Sequence, residues 1–439
     1  MGGTPPGEPP EGGMGGTPPG KPPEGGMGGG PGGPGGSAAD VTYTAAEEIT
    51  SGETREEETY ASETSDESAL IVNTAEAVTL TNPTVTKTGS SDGGDGCSFY
   101  GLNAAVLVMG GSATVISGGT ITSDADGANA VFSYGGNGGQ NGAEGDGTTV
   151  VISDTVITTT GNGSGGIMTT GGGTTYANNL TVETSGGSSA PIRTDRGGGT
   201  VVADGGTYTS NGLGSPAIYS TAEVTVRNAT LVSNLSEGVC IEGKNSITLE
   251  NCDLTANNTR CNGNATFLDT IMIYQSMSGD ADSGTSAFTM TGGSLTSLSG
   301  HMFHVTNTHA VITLNGVELR NEGSGILLSV CDDGWSGASN IAELNAVNQA
   351  LSGTILVGSN SELTLSLTDG SSYEGSISGE ITNSRGEEVS AETGTVSVIL
   401  DDTSTWTLTA DTWITEFSGN AENVNTNGYT LYVNGTALN

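Results

Sequence analysis

VTVRNATLVSN (224–234), ITLENCDLTAN (247–257), FTMTGGSLTS (288–297) and ITLNGVELRN (312–321) share one pattern. Two apolar residues stand two apart. A small or polar pair follows, and further apolar residues come three and five positions after the second anchor. Second anchors of this kind recur at Leu80, Ile116, Ile152, Ala177, Ala203, Val226, Leu249, Met290 and Leu314. Their spacings are 36, 36, 25, 26, 23, 23, 41 and 24 residues. A basic period near 23 to 26, lengthened by insertions, implies one structural unit repeated and stacked.

Each anchor strand is followed by a second apolar strand. These are AVFSY at Ala130, GIMTT at Gly166, APIRTD at Ala190, PAIYST at Pro216, VCIEG at Val239, IMIYQ at Ile271, MFHVT at Met302 and GILLS at Gly325. Thr, Val, Ile and Tyr dominate the strands, while Gly, Asn, Asp and Ser fill the corners. No window carries a helical period. The expected fold is an all-β parallel β-helix with two or three short strands per coil, stacked about 4.8 Å apart. An antiparallel sandwich also has short strands, but it does not explain paired segments recurring in one order on one period.

Three regions are expected. Residues 1–36 are a Gly/Pro-rich arm in which MGGTPPGEPPEGG repeats as MGGTPPGKPPEGG. Proline lacks a backbone donor, so the arm is excluded from a sheet and reads as an extended spacer. Residues 37–75 are an acidic, Thr-rich entry segment covering one end. Residues 76–439 are the β-helix, with shorter, more regular coils after about 360.

The 439 residues include 74 Gly, 49 acidic and only 10 basic residues, for a formal charge of −39. That charge argues against nucleic acid, whose binding needs Lys and Arg to displace counterions. It also disfavours anionic membranes and suits solubility outside the cell. No stretch approaches the roughly 20 apolar residues of a membrane span. The chain begins inside the Gly/Pro repeat without an apolar signal segment, so a mature form is expected. Of the five Cys, Cys252 and Cys261 are close enough in sequence to form a local disulfide.

Site chemistry is sparse. If Ile192, Ile218, Ile241, Ile273 and Phe303 point inward, then Arg193, Tyr219, Glu242, Tyr274 and His304 point outward on successive coils. Such a stripe, roughly 20 Å long, has the aromatic and polar character of a glycan-binding face. Glu242 with Asp195 is the best acid pair for glycoside hydrolysis, although a salt bridge of Asp195 with Arg193 or Arg196 is the simpler reading. His301, His304 and His309 are clustered in sequence. The odd spacing of His301 and His304 would put those two on opposite faces of a strand. Paired Asp in Gly-rich loops (Asp92 and Asp95, Asp124 and Asp126, Asp280 and Asp282, Asp332 and Asp333) suit structural Ca²⁺, with turn formation by Asp as the plainer alternative.

Taken together, DESALIV (66–72), GGTITS (118–123), SGGIMTTGGGTT (164–175), IRTDRGGGTV (192–201), SPAIYSTAEVTV (215–226), GVCIEGKNSITLENC (238–252) and IYQSMSGDAD (273–282) carry a resemblance. Over residues 65–370 the chain resembles the right-handed parallel β-helix, adhesin-like proteins secreted by Gram-positive and gut anaerobic bacteria. The resemblance implies surface display without catalysis and transfers no catalytic motif. A secreted, non-enzymatic structural or adhesive role follows as the expectation, with no required cofactor. Cell-wall or host glycans are the expected partners. A solenoid has open ends, and no cap is visible after YTLYVNG (429–435), so head-to-tail homo-oligomers growing into fibres are also expected. The alternative is a polysaccharide-binding or polysaccharide-cleaving protein using the Arg193 to His304 face.

Overall fold

A computed structural model describes residues 41–138, 144–335 and 339–438. The expected Gly/Pro arm at 1–36 lies outside the described residues. The chain folds as a parallel β-helix. Each regular coil has three faces, seen in one coil as Val239–Glu242 (face one), Ser246–Glu250 (face two) and Asp253–Ala256 (face three). Face one is a 13-stranded sheet. Faces two and three share a 22-stranded sheet, because strands such as Gly173–Thr184 and Gly199–Ser210 run unbroken around the corner between them.

The repeat anchors are direct neighbours. Leu80 pairs with Ile116, Ile116 with Ile152, Ile152 with Ala177, Ala177 with Ala203, and Ala203 with Val226. Val226 then pairs with Leu249, Leu249 with Met290, and Met290 with Leu314. All are buried, forming one side of the continuous core. Ala177 and Ala203 are the small members of this column. The Ala203 coil compensates with fully buried Tyr208 on face three, so large and small side chains alternate within one layer.

The small or polar pair in each repeat marks the corner between faces two and three. Asn82, Asp154, Asn179, Asn228 and Asn251 all sit there with φ near +50°. This left-handed conformation bends the chain sharply. Asn and Asp tolerate it because their short side chains hydrogen-bond locally. Corner amides also link coils: Asn228 Nδ2 donates to Asp204 at 2.8 Å, and Asn179 Nδ2 to Asp154 at 2.7 Å.

The acidic entry segment forms a complete coil. Thr44–Ile49, Glu53–Glu56 and Thr59–Ser62 pair in parallel with Glu67–Asn73, Ala77–Thr81 and Thr84–Lys87. Glu53 and Arg55 stand opposite Val78 and Leu80, where later coils place apolar residues. Arg55 bonds Glu47 at 2.8 Å and Glu53 at 2.9 Å. Charge therefore replaces the apolar column at this end.

At the other end the strands shorten, as with Ile377–Ser378, Thr412–Ile414 and Val424–Asn425. An antiparallel pairing of Glu380–Thr382 with Glu388–Ala391 interrupts their regularity. After Leu431–Val433 the chain turns back, and Thr436–Ala437 pairs antiparallel with it. That return covers a strand edge which the sequence pattern leaves open.

Candidate functional site

The long repeat spacings hold the cover of face one. A six-residue helix, Asp95–Tyr100, sits in the first 36-residue spacing, and its Phe99 and Tyr100 pack on Leu107, Phe132 and Met168. Loops within the 41-residue spacing bring Ala265 and Cys261 against Cys240, Met272 and Tyr274. Phe267 joins Cys331, Leu356 and Ile381 further along. The outward side of face one is thus a second, segmented core rather than an open surface.

This changes the expected stripe. Arg193 pairs with Tyr219, Tyr219 with Cys240, Cys240 with Met272, and Met272 with His304. Glu242 pairs with Tyr274, which lies two residues further along the strand. The inward partners of Ile192 and Ile218 are accordingly Val239 and Ile271, not Ile241 and Ile273. Alternation fixes the face, but a slip of two residues preserves it, so pattern alone misses this register. Glu242, Tyr274 and His304 are buried, and Arg193 and Tyr219 are half-buried. The five residues fall into two columns, buried or half-buried, not one exposed glycan face.

Glu242 is the hub of the first group. It accepts hydrogen bonds from Tyr219 Oη at 2.6 Å, Tyr274 Oη at 3.1 Å and Ser278 Oγ at 3.3 Å, and from Ser276 Oγ. Burial, followed by the Glu242 charge, raises both tyrosine pKa values well above their ordinary range. Arg193 bonds Asp195 at 2.9 Å and lies over the Tyr219 ring at 5.9 Å. Burial outweighs the pull of Arg193 and pushes the Asp195 carboxyl up to about 7. Arg196 holds Asp280 through Nε at 3.0 Å and stacks on Phe99 at 4.3 Å. Asp195 and Glu242 thus stand in one buried network, each with internal partners.

His304 belongs to a second group. His301 Nδ1 and His304 Nδ1 both lie 2.8 Å from Ser329 Oγ, and His304 Nε2 lies 3.2 Å from Asp333. The odd spacing does not separate the rings, because His301 opens its strand and turns toward the same serine. Ser329 has one proton to give. If His304 donates through Nε2 to Asp333, its Nδ1 accepts from Ser329, which in turn accepts from His301. Burial, then His304, lowers the His301 pKa to about 3. The order serine–histidine–aspartate is that of a nucleophilic triad, but Ser329 and His304 are fully buried. Asp333 also accepts from Thr266 N and Oγ1, both at 2.7 Å. The group ties the cover loops together. His309 stands apart, paired with Glu343 at 2.8 Å beside a recess of about 280 Å³ that Asn307, Thr308 and Ile341 also line.

Among the described residues, no three His, Cys, Asp or Glu side chains converge as a metal set. Of the calcium candidates, Asp280 and Asp282 are engaged by Arg196 and Lys244. Asp126 accepts from Asn162 N at 2.7 Å, a bond to the loop of the next coil. Asp92, Asp95 and Asp124 are not drawn into a shared cluster. Cys252 and Cys261 are both free thiols: Cys252 lies in the main core and Cys261 packs outside face one. The sheet separates them, which rules out the expected staple.

Sequence reasoning missed an aromatic pair, exposed Trp413 and half-buried Tyr432, whose rings stack on each other near the far end of the coil stack. Its signal was present in WTLTADTWI and YTLYVNG, where an aromatic residue occupies the same strand position one coil apart. Comparison of the chain with protein-family models, curated proteins and solved structures gave no match.

Proposed function

We propose that this protein is a non-catalytic, extracellular β-helix rod that works by adhesion to hydroxyl-rich surfaces such as cell-wall or host glycans. The observation that carries this reading is the outer side of face three. Register places Thr59, Thr84, Thr120, Val156, Thr181, Thr207 and Thr230 in one column. Ala61, Thr86, Thr122, Thr158, Glu183, Thr209 and Val232 form the column beside it. From the first coil to Thr230 and Val232, Glu183 is the one charge in these two columns, which on later coils continue into Asp253, Glu318 and Arg320, in a chain whose formal charge is −39. The threonines are β-branched and held on a rigid sheet, so little side-chain freedom is lost on contact. Neutrality along this strip lets a sugar surface approach a protein that otherwise repels anions.

The buried networks support the absence of catalysis, since their carboxylates and imidazoles already bond within the protein. Fibre growth by end-to-end stacking is a second form of the same structural role. The first coil carries seven acidic residues and one basic residue between Thr44 and Glu63, and the last carries three and none from Asp411 to Leu438. Like charges disfavour bare contact of these ends, so stacking is expected only with divalent cations.

Pull-down of the purified protein on insoluble cell-wall and polysaccharide particles tests adhesion. Replacing Thr120, Thr122, Thr207 and Thr209 by Lys should reduce retention at least fivefold, and unchanged retention would remove the assignment to face three. Negative-stain electron microscopy with and without calcium tests the second form. Short isolated rods without calcium are expected, and long fibres in its absence would make self-assembly the primary role.

A further inference from the structure

The last inward position of face three is a column of small hydroxyl residues. Ser62 holds it on the first described coil, and Ser123, Thr159, Thr184, Ser210 and Ser233 hold it on later ones. All are buried, and some donate to a backbone carbonyl at the corner, as Ser233 Oγ does to Ser236 O at 3.0 Å. Lys87 interrupts this column on the second coil. It is fully buried, and Nζ donates to Thr64 O at 2.9 Å and to Gly89 O. Both acceptors are backbone carbonyls rather than carboxylates. An ammonium would bring a third proton and an uncompensated charge into the interior. A neutral amine has two N–H groups, which these two carbonyls match, and keeps its lone pair free. Burial, the largest influence, lowers the Lys87 pKa against the charges of Glu67, Asp66 and Asp124. Asn103 meets the same carbonyl: its Nδ2 donates to Gly89 O at 2.9 Å and to Asp126 O at 3.2 Å. Asn103 is fully buried too, and its Oδ1 accepts no hydrogen bond among the described residues. A buried amine and a buried carboxamide with an unused carbonyl oxygen thus converge on one backbone oxygen.

We propose that Lys87 and Asn103 join through an intramolecular isopeptide bond. Lys87 Nζ attacks Asn103 Cγ with its lone pair, and the carbonyl electron pair moves onto Oδ1. A proton passes from Nζ to Nδ2. The pair on Oδ1 returns, the Cγ–Nδ2 bond breaks, and ammonia leaves. One amine and one primary amide become one secondary amide and one ammonia, with nothing oxidised or reduced. Glu67 is the carboxylate whose charge acts most strongly on Lys87, and it accepts from Ser62 Oγ at 2.8 Å beside Lys87 in the column. It is therefore the proton carrier for this step. Fixed neighbours and excluded water supply what an amine and an amide lack in solution. The product keeps one N–H for Gly89 O. The bond closes the segment that carries the covering helix Asp95–Tyr100, fastening the start of that cover to the coil stack. A covalent link of this kind restricts the unfolded chain as a disulfide does. The proposal stands independently of the adhesive reading.

Intact-mass spectrometry of the purified, denatured full chain tests the bond. The parent should be lighter than its sequence mass by one ammonia. Lys87→Met and Asn103→Ala should each show the full mass of their own sequences. A protease digest of the parent should contain one branched peptide joining Lys87 to Asn103. That peptide is read on the parent itself, so the result holds even if a variant fails to fold. Glu67→Gln should lower the joined fraction by about tenfold or more in the same preparation. A parent chain of full mass overturns the bond. So does an ammonia loss that persists in Lys87→Met, because Asn103 would then have closed on its own backbone as a succinimide. Joining undiminished in Glu67→Gln overturns the role of Glu67 alone.

Discussion

Tyr219 donates its phenolic hydroxyl to Glu242 at 2.6 Å, although the two residues belong to adjacent coils and to different columns of face one. The diagonal contact exists because register places Cys240, not Glu242, directly beside Tyr219. Tyr274 then reaches the same carboxylate from the following coil. One acidic side chain thereby ties three coils through a covered interior.

Replacing Glu242 by Ala strands two buried phenols without an acceptor. A loss of about 2–3 kcal/mol of unfolding free energy is expected, because unpaired buried donors carry their full desolvation cost. Glu242→Gln keeps a carbonyl acceptor and should lose about half as much. Urea unfolding of the three proteins measures both values, and a loss under about 0.5 kcal/mol for Glu242→Ala would contradict the hub role.

The raised carboxyl of Asp195 sets a pH dependence. Its folded-state pKa is about 7, held up by burial against Arg193. Burial raises Asp269 in the same direction. A carboxyl raised on folding keeps its proton longer in the folded chain than in the unfolded one. Its contribution is therefore favourable at low pH and is lost as pH climbs from about 4 towards 7. Asp195→Asn should flatten this decline while changing stability little at pH 4. The difference between the two chains is the readout, since general acidic repulsion acts on both. Parallel curves would show that Asp195 ionises normally.

The corner Asn228, at φ +52°, is expected to accept Gly with a change of a few tenths of a kcal/mol. Asn228→Ala should cost about 1–2 kcal/mol, and Asn228→Val more, because Cβ crowding penalises the left-handed conformation. Thermal unfolding checks the order Gly, Ala, Val. Equal effects from all three would mean that the bond to Asp204 matters more than the backbone.

Arg55 and Glu53 place charge on the first described coil where the next coil has Val78 and Leu80. The double change Glu53→Val and Arg55→Leu continues the apolar column of Val78 and Leu80 to the surface. Concentration-dependent dimers or longer rods are expected in sedimentation velocity, because an unpaired apolar edge invites another chain. A purely monomeric double variant would show that the acidic rim alone prevents association.

All five thiols are free, and only Cys261 is not fully buried. A thiol reagent should therefore modify about one cysteine in the native protein and all five after denaturation. Electrophoretic migration should not change with reductant. Fewer than five reactive thiols in denatured, unreduced protein would reveal a disulfide.

The repeat in the sequence determined the coil, because an apolar ladder can be buried only if identical positions stack. The anchors from Leu80 to Leu314 were readable for that reason, as were the corner residues, whose left-handed backbone narrows the choice to Asn, Asp and Gly. The fate of the outward residues was decided by tertiary structure alone. Strand alternation assigns Tyr219, Glu242 and His304 to the outside of the sheet, but it cannot tell water from a covering loop. The helix at Asp95–Tyr100 and the loops around Ala265 and Phe267 come from irregular insertions with no period to read. They buried the expected stripe and parted Cys252 from Cys261. Trp413 stayed exposed in the separate short sheet that Thr412–Ile414 forms with Leu431–Val433.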